Sequence, residues 1–155
     1  MMLPILLGYL AGSVPFAYLL ARRAGVDVRV AGSGNVGAAN VLRTAGAARG
    51  VIVMALDVSK GMAAVLAVHL VSGGASLAAL TGAAAIVGHI YPVWLRFHGG
   101  KGVAVAAGVF SVLSPVATGL AASLFLLTVW ITRYVSLGSI AATLALPPID
   151  RKSVV

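Results

Sequence analysis

Hydrophobic positions fall along this chain in long uninterrupted runs separated by short basic or glycine-rich stretches, a pattern with the length of membrane helices and no alternation of the kind strands show. Residues 3–21 carry no charge over 19 positions, and Arg22 and Arg23 follow at once. That predicts one transmembrane helix, a retained anchor with its N-terminus outside, since a cleavable leader has its basic residues ahead of the apolar run. Residues 22–49 are the longest polar stretch, with Arg22, Arg23, Arg29, Arg43 and Arg49 against Asp27 alone, which assigns this loop to the cytoplasm. A second helix is predicted over residues 50–71, an uncharged outer turn at Ser72-Gly73-Gly74, and a third helix over residues 75–95 ending at Arg96, His98 and Lys101. Between Lys101 and Arg133 lie 31 uncharged residues, too many for one ordinary span, and Ser114-Pro115 marks the break between two shorter helices. Residues 137–146 are too short to span, and Pro147-Pro148 predicts a stop there.

Composition sharpens this. Of 155 residues, 61% are hydrophobic and 9% charged, too few charges to coat a water-soluble domain. At about 1.5 Å per residue a fully helical chain is roughly 230 Å long, about seven crossings of a 30 Å core, and loops lower the number. The expectation is an all-α, polytopic transmembrane helix bundle of about five to six hydrophobic segments, one domain over residues 1–155, with the motif loops cytoplasmic. The net charge of +8 would suggest nucleic acid in a soluble protein, but here the cations lie between apolar runs, so they set topology and can bind anions, and no nucleic acid is expected. Cysteine is absent, which excludes thiol nucleophiles and Cys-ligated metal. His69, His89 and His98 lack ligand spacing, and no metal site is expected.

The candidate chemistry sits in two basic glycine loops. Gly32-Ser33-Gly34-Asn35-Val36-Gly37-Ala38-Ala39-Asn40-Val41-Leu42-Arg43 joins glycines able to turn N–H groups toward an oxyanion with Ser33, Asn35, Asn40 and the guanidinium of Arg43. Against that stands a flexible loop of small residues. His98-Gly99-Gly100-Lys101-Gly102 leads into an apolar run, so its amides can head a helix with Lys101 beside them. Leu95 and Gly102 stand where a nucleotide-binding P-loop has Gly and Ser or Thr, which argues against ATP. A loop that merely sets topology accounts for Arg96 and Lys101 but not for three glycines around a lysine. Inside the second helix Asp57 and Lys60 are three residues apart and share a face, so they form either a site or a structural ion pair. His89 reads as an interhelical contact or, less simply, a base. Trp94, Trp130, Tyr91 and Tyr134 fall at predicted inner helix ends, as an aromatic belt does.

Gly12-Ser13-Val14-Pro15-Phe16, the Gly32 to Arg43 run, Asp57-Val58-Ser59-Lys60-Gly61, Gly88-His89-Ile90-Tyr91-Pro92, Phe97-His98-Gly99-Gly100-Lys101-Gly102 and Thr132-Arg133-Tyr134-Val135-Ser136-Leu137 occur in one order. That order resembles the bacterial acyl-phosphate:glycerol-3-phosphate acyltransferases over about residues 3–145. The resemblance implies a cofactor-free enzyme of the bacterial inner membrane. It would transfer a fatty acyl group from acyl phosphate to the 1-hydroxyl of glycerol 3-phosphate, giving 1-acyl-sn-glycerol 3-phosphate and phosphate, as the first step of phospholipid synthesis. Its partners would be those substrates, membrane lipid and, functionally, the enzyme that makes acyl phosphate. Carried over residue by residue, it implies Lys101, Arg43 and Ser33 as catalytic. It also implies Gly32, Gly34, Asn35, Asn40, Lys60, His89, Gly99, Gly100, Gly102 and Ser136 as substrate-binding. The family's C-terminal segment with its His and Asn has no counterpart after Leu146. A small transporter or channel for organophosphate anions is the competing class. A pore calls for polar groups in both membrane halves, whereas here the turns at Gly73 and Pro115 are uncharged and the cations cluster on one side. A binding-only scaffold would leave the motif residues without a use.

Overall fold

The structure, a computed structural model, describes residues 2–72 and 74–153, with side chains over 2–71 and 74–146. Gly73, in the expected outer turn, lies outside the described residues. The helices run α1 (Met2–Ser13), α2 (Phe16–Arg22), α3 (Ala38–Thr44), α4 (Ala47–Ser72), α5 (Ala75–Ile90), a 3-10 turn (Val93–Leu95), α6 (Val103–Leu113), α7 (Pro115–Thr132) and α8 (Val135–Ser153). Among the described residues there is no strand. Among the described residues, four segments are long and apolar enough to cross a membrane, Met2–Arg22, Ala47–Val71, Ala75–Leu95 and Pro115–Thr132, and two apolar helices are shorter, Val103–Leu113 and Val135–Leu146. Six apolar segments match the expected five to six. Leu6, Leu7, Leu80, Val87, Leu126 and Ile131 are all about half exposed or more, as side chains facing lipid are. Tyr91, Trp94, Trp130 and Tyr134 are exposed as well, as an aromatic belt requires.

Two expectations about helix continuity are corrected. The first span is interrupted at Val14-Pro15, because Pro15 has no N–H to give and its ring crowds the preceding turn. The interruption is closed locally, with the Val14 N–H donating to Ala11 O at 3.3 Å and the Phe16 N–H donating to Val14 O at 3.1 Å. Conversely, α8 does not stop at Pro147-Pro148 but continues to Ser153. A proline ring holds φ near its helical value, so the pair forfeits hydrogen bonds without turning the backbone out of the helix. The break at Ser114-Pro115 is where expected, with Ser114 capping α7 and Pro115 in its first turn.

The chain divides into two compact units, residues 1–109 and 110–155. In the first, α1 lies along α5 on a seam of glycines. A Cβ on Gly12 would run into the Ala85 carbonyl, one on Gly88 into the Tyr9 carbonyl, and one on Gly8 would sit 2.6 Å from the Thr81 carbonyl. Backbones approach this closely only where a side chain is missing, which is how helices without a hydrophobic driving force in lipid gain contact. The Tyr9 hydroxyl ties the lower end of the seam by donating to Tyr91 O at 2.8 Å. Gly61 and Gly108 repeat the device between α4 and α6, against the carbonyls of Val105 and Val58. A second cluster, Ala17, Ala21, Val28, Val36, Val41, Ala45, Val53 and Leu95, packs beneath the polar stretch that follows α2 and anchors it on the helices. In the second unit α7 lies against α8, with Gly138 admitting Phe125 and Val129.

Candidate active site

The first glycine loop is built around one amide. Asn40, in α3, is 1% exposed; its Oδ1 accepts the Ser33 N–H at 3.0 Å and its Nδ2 donates to Val28 O and Ala31 O, both at 3.0 Å. Gly32 makes room for this. Its φ is +62°, the left-handed region, and a Cβ there would meet Asn40 Oδ1. The side chain expected to bind substrate is therefore committed to shaping the loop, and it presents Ser33, an exposed residue. Arg43 stands in the last turn of α3, exposed, and is paired with no carboxylate among the described residues. Arg29 is different. Its guanidinium clasps Asp27 at 2.9 and 2.6 Å and lies 4.7 Å from the Tyr18 ring centroid, so it closes the chain reversal after α2.

That clasp has a measurable consequence. The Arg29 hydrogen bonds, side-chain first and then backbone, hold the Asp27 carboxyl down at about 2 from its ordinary 3.8. A carboxyl whose folded value lies below its unfolded one stabilises the fold above the unfolded value and loses that contribution as pH falls through the folded one. The loop is thus expected to stay clasped at pH 4, with the Asp27 carboxyl carbon resonance titrating near pH 2. A midpoint near 4 would show the clasp open in solution.

The second loop follows α5. The 3-10 turn ends in two consecutive non-glycine residues with left-handed φ, Arg96 at 51° and Phe97 at 64°, held by Phe97 N–H to Pro92 O and His98 N–H to Leu95 O. This reversal brings the glycines back onto the end of α5. The N–H groups of Gly99 and Gly100, expected to face an oxyanion, donate instead to Ile90 O at 3.0 Å and His89 O at 3.1 Å. The expectation is corrected because the C-terminal carbonyls of α5 need donors, and these two amides are the ones in reach. What the loop offers an anion is the exposed Lys101 at the head of α6, whose first amides have no carbonyl a turn earlier to bond. Gly102 is buried behind it with φ +78°.

The two loops meet. A Cβ on Gly100 would lie 2.7 Å from the Val36 carbonyl oxygen and would collide with His89 Nε2. Val36, Gly99 and Gly100 together line a small cavity with Gly12, Ser13, Val14, Pro15, Phe16, Asp57 and His89. Behind it lies a buried charge cluster. Lys60 Nζ is 2.8 Å from Asp57 Oδ1, donates to Val14 O at 2.8 Å, and is 3.0 Å from His89 Nδ1, with the Phe16 ring 5.5 Å away. The contact with Asp57 is a close, buried ion pair. Lys60 is 8% exposed and bracketed by these three groups, so it faces the broken first span. The carbonyl it meets is that of the residue before Pro15, which the sequence had signalled only as a proline in an apolar run. Ser136 lies in the other unit, in the first turn of α8. Among the described residues, no group of His, Asp or Glu side chains could hold a metal ion.

A family model described as glycerol-3-phosphate acyltransferase matches residues 2–150. The glycerol-3-phosphate acyltransferase of Myxococcus xanthus (strain DK1622) is 52% identical over 140 residues, covering 89% of this chain and 73% of its own. That of Syntrophotalea carbinolica (strain DSM 2380 / NBRC 103641 / GraBd1) is 49% identical over 145 residues, covering 92% and 74%. The backbone is similar to the crystal structure of PlsY (YgiH), an integral membrane glycerol 3-phosphate acyltransferase, in its glycerol 3-phosphate form. The TM-score is 0.88 at 41% identity, over 94% of this chain and 73% of that one. Against the lysophosphatidic acid form the TM-score is 0.85 at 40% identity.

Proposed function

This chain belongs to the glycerol-3-phosphate acyltransferase family, and from that premise we propose that it transfers a fatty acyl group from acyl phosphate to the 1-hydroxyl of glycerol 3-phosphate. The observation that carries the reading is the contact between the two basic loops at Val36 and Gly100, which sets Arg43 and Lys101, both without a carboxylate partner among the described residues, on loops that share one wall. Both substrates bear phosphate and one bears an acyl chain, so their enzyme needs cations at the edge of an apolar surface. The hydroxyl oxygen attacks the acyl carbon, the bond from that carbon to the phosphate oxygen breaks, and the hydroxyl proton leaves with inorganic phosphate. The mixed anhydride is already activated, so no covalent enzyme intermediate and no cofactor is called for. Lys101 and Arg43 neutralise phosphate charge, the Ser33 hydroxyl and the Gly32 to Asn35 backbone complete the cradle, and the product is 1-acyl-sn-glycerol 3-phosphate.

The protein is a multi-pass membrane protein by family and by its apolar helices. Its place in this reading is the bacterial inner membrane, with both loops on the cytoplasmic side, where acyl phosphate is supplied. The observations do not favour translocation of organophosphate anions, because the charges inside the spans are committed to one another and to the Val14 carbonyl. The test is direct. Purified protein in lipid, given acyl phosphate and labelled glycerol 3-phosphate, should release labelled lysophosphatidate and one phosphate per turnover. Uptake of label into sealed vesicles without acylation would replace this reading with transport.

A further inference from the structure

His89 stands between the buried charges and the loop that carries Lys101, and its two ring nitrogens face different partners. Nδ1 is 3.0 Å from Lys60 Nζ and 3.6 Å from Asp57 Oδ1. An ammonium has only donors, so Nδ1 accepts, the ring is not an imidazolium, and its proton is on Nε2. Nε2 abuts Gly100, with the Val36 carbonyl beside the same glycine. The cavity that His89, Val36 and Gly100 help to line measures about 10 Å³, close to the least that holds one water molecule, and both Nε2 and the Val36 carbonyl oxygen lie beside Gly100 at its wall. No direct hydrogen bond joins the two loops at this point among the described residues.

Resting on the acyltransferase reading above, we propose that His89 is a positioning residue: Lys60 fixes it as the Nε2–H tautomer, and Nε2–H, through one water bonded to the Val36 carbonyl, holds the two basic loops at their working separation. The ion pair in α4 thereby reaches the site without touching substrate. Lys60 meets a backbone carbonyl of the first span on one side and sets a proton on the other, so the helix break and the loop contact are governed by one ammonium. Asp57, 2.8 Å from Lys60 Nζ, keeps that ammonium charged and in place.

Two measurements test this on the whole chain in lipid. In ¹⁵N spectra of histidine-labelled protein, His89 should show a protonated Nε2 and an unprotonated Nδ1, and Lys60→Met should abolish that preference. A wild-type ring protonated on Nδ1 overturns the proposal whatever the activity. In the acyl-transfer assay, His89→Gln keeps an N–H near the place of Nε2, whereas His89→Asn keeps only an acceptor near that of Nδ1. The Gln variant should stay within about threefold of wild-type kcat, while the Asn variant should lose about a hundredfold with little change in KM, the size expected when catalytic groups are displaced by about 1 Å. Equal loss in both variants overturns the proposal. Absence of turnover in the wild type would defeat the acyltransferase reading instead, and the spectra would still decide the tautomer.

Discussion

Replacing Lys101 with alanine is expected to lower the rate of acyl transfer by about two to three orders of magnitude, the loss seen when one charge-stabilising donor is taken from a developing anion. The size follows from where this cation stands. Lys101 is exposed, unpaired among the described residues, and carried on a loop whose two preceding amides are fixed to the end of α5. Its ammonium is the charge that the Gly99-Gly100 turn presents. Arg43→Ala is expected to act similarly, with Lys at that position restoring only part of the rate because it lacks the planar two-pronged donor set. Arg23→Ala removes another exposed cation, and turnover should stay within about twofold, since a bulk surface charge acts mainly through screened attraction. If all three substitutions reduced the rate alike, the cations would be collecting substrate and not handling it at a site.

The second large effect falls on stability. Lys60→Met leaves Asp57 buried at 2% exposure with no counterion and leaves the Val14 carbonyl with the Phe16 N–H as its remaining donor, and Asp57→Leu leaves the ammonium unpaired. Breaking a buried pair from one side costs about 3–5 kcal/mol, whereas removing both members costs far less. Each single variant should therefore lower the unfolding midpoint in detergent by many degrees, and the double variant should recover a large part of the loss. Additive single losses would mean that the two charges do not interact in the folded protein.

The spans were legible because apolar runs of about 20 residues have few other uses: three of the long segments lie where hydropathy and the flanking arginines put them, and the fourth, Pro115–Thr132, is the longer of the two short helices expected about Ser114-Pro115. The Asp57 and Lys60 pairing was legible for the same kind of reason, a spacing of three on a helix. Its third member was not. His89 meets Lys60 across 29 residues and two helices, and no local pattern encodes that register. The break at Pro15 was not read either, because an uncharged run of that length looks like one continuous span. Within the candidate site, the glycines were visible as a group while their separate tasks were not. Gly32 admits a left-handed turn beside Asn40, Gly100 admits a carbonyl and an imidazole, and Gly99 serves the end of a helix. Those tasks depend on which neighbour comes near, and that is settled by packing between α1, α4 and α5. Asn40 shows the limit most clearly. Its residue type and place suggested phosphate, and its burial turned it into a frame for Ser33.

The interruption at Val14-Pro15 also bears on how the protein is made. Lys60, which satisfies the Val14 carbonyl, is synthesised 46 residues later. Throughout that interval the nascent first segment sits in the bilayer without its eventual partner. Its local hydrogen bonds can shape the break at once, but the Lys60 ammonium reaches the Val14 carbonyl only after the second segment has left the ribosome and come alongside. Insertion of the leading segment and completion of its contacts are thus two events separated in time.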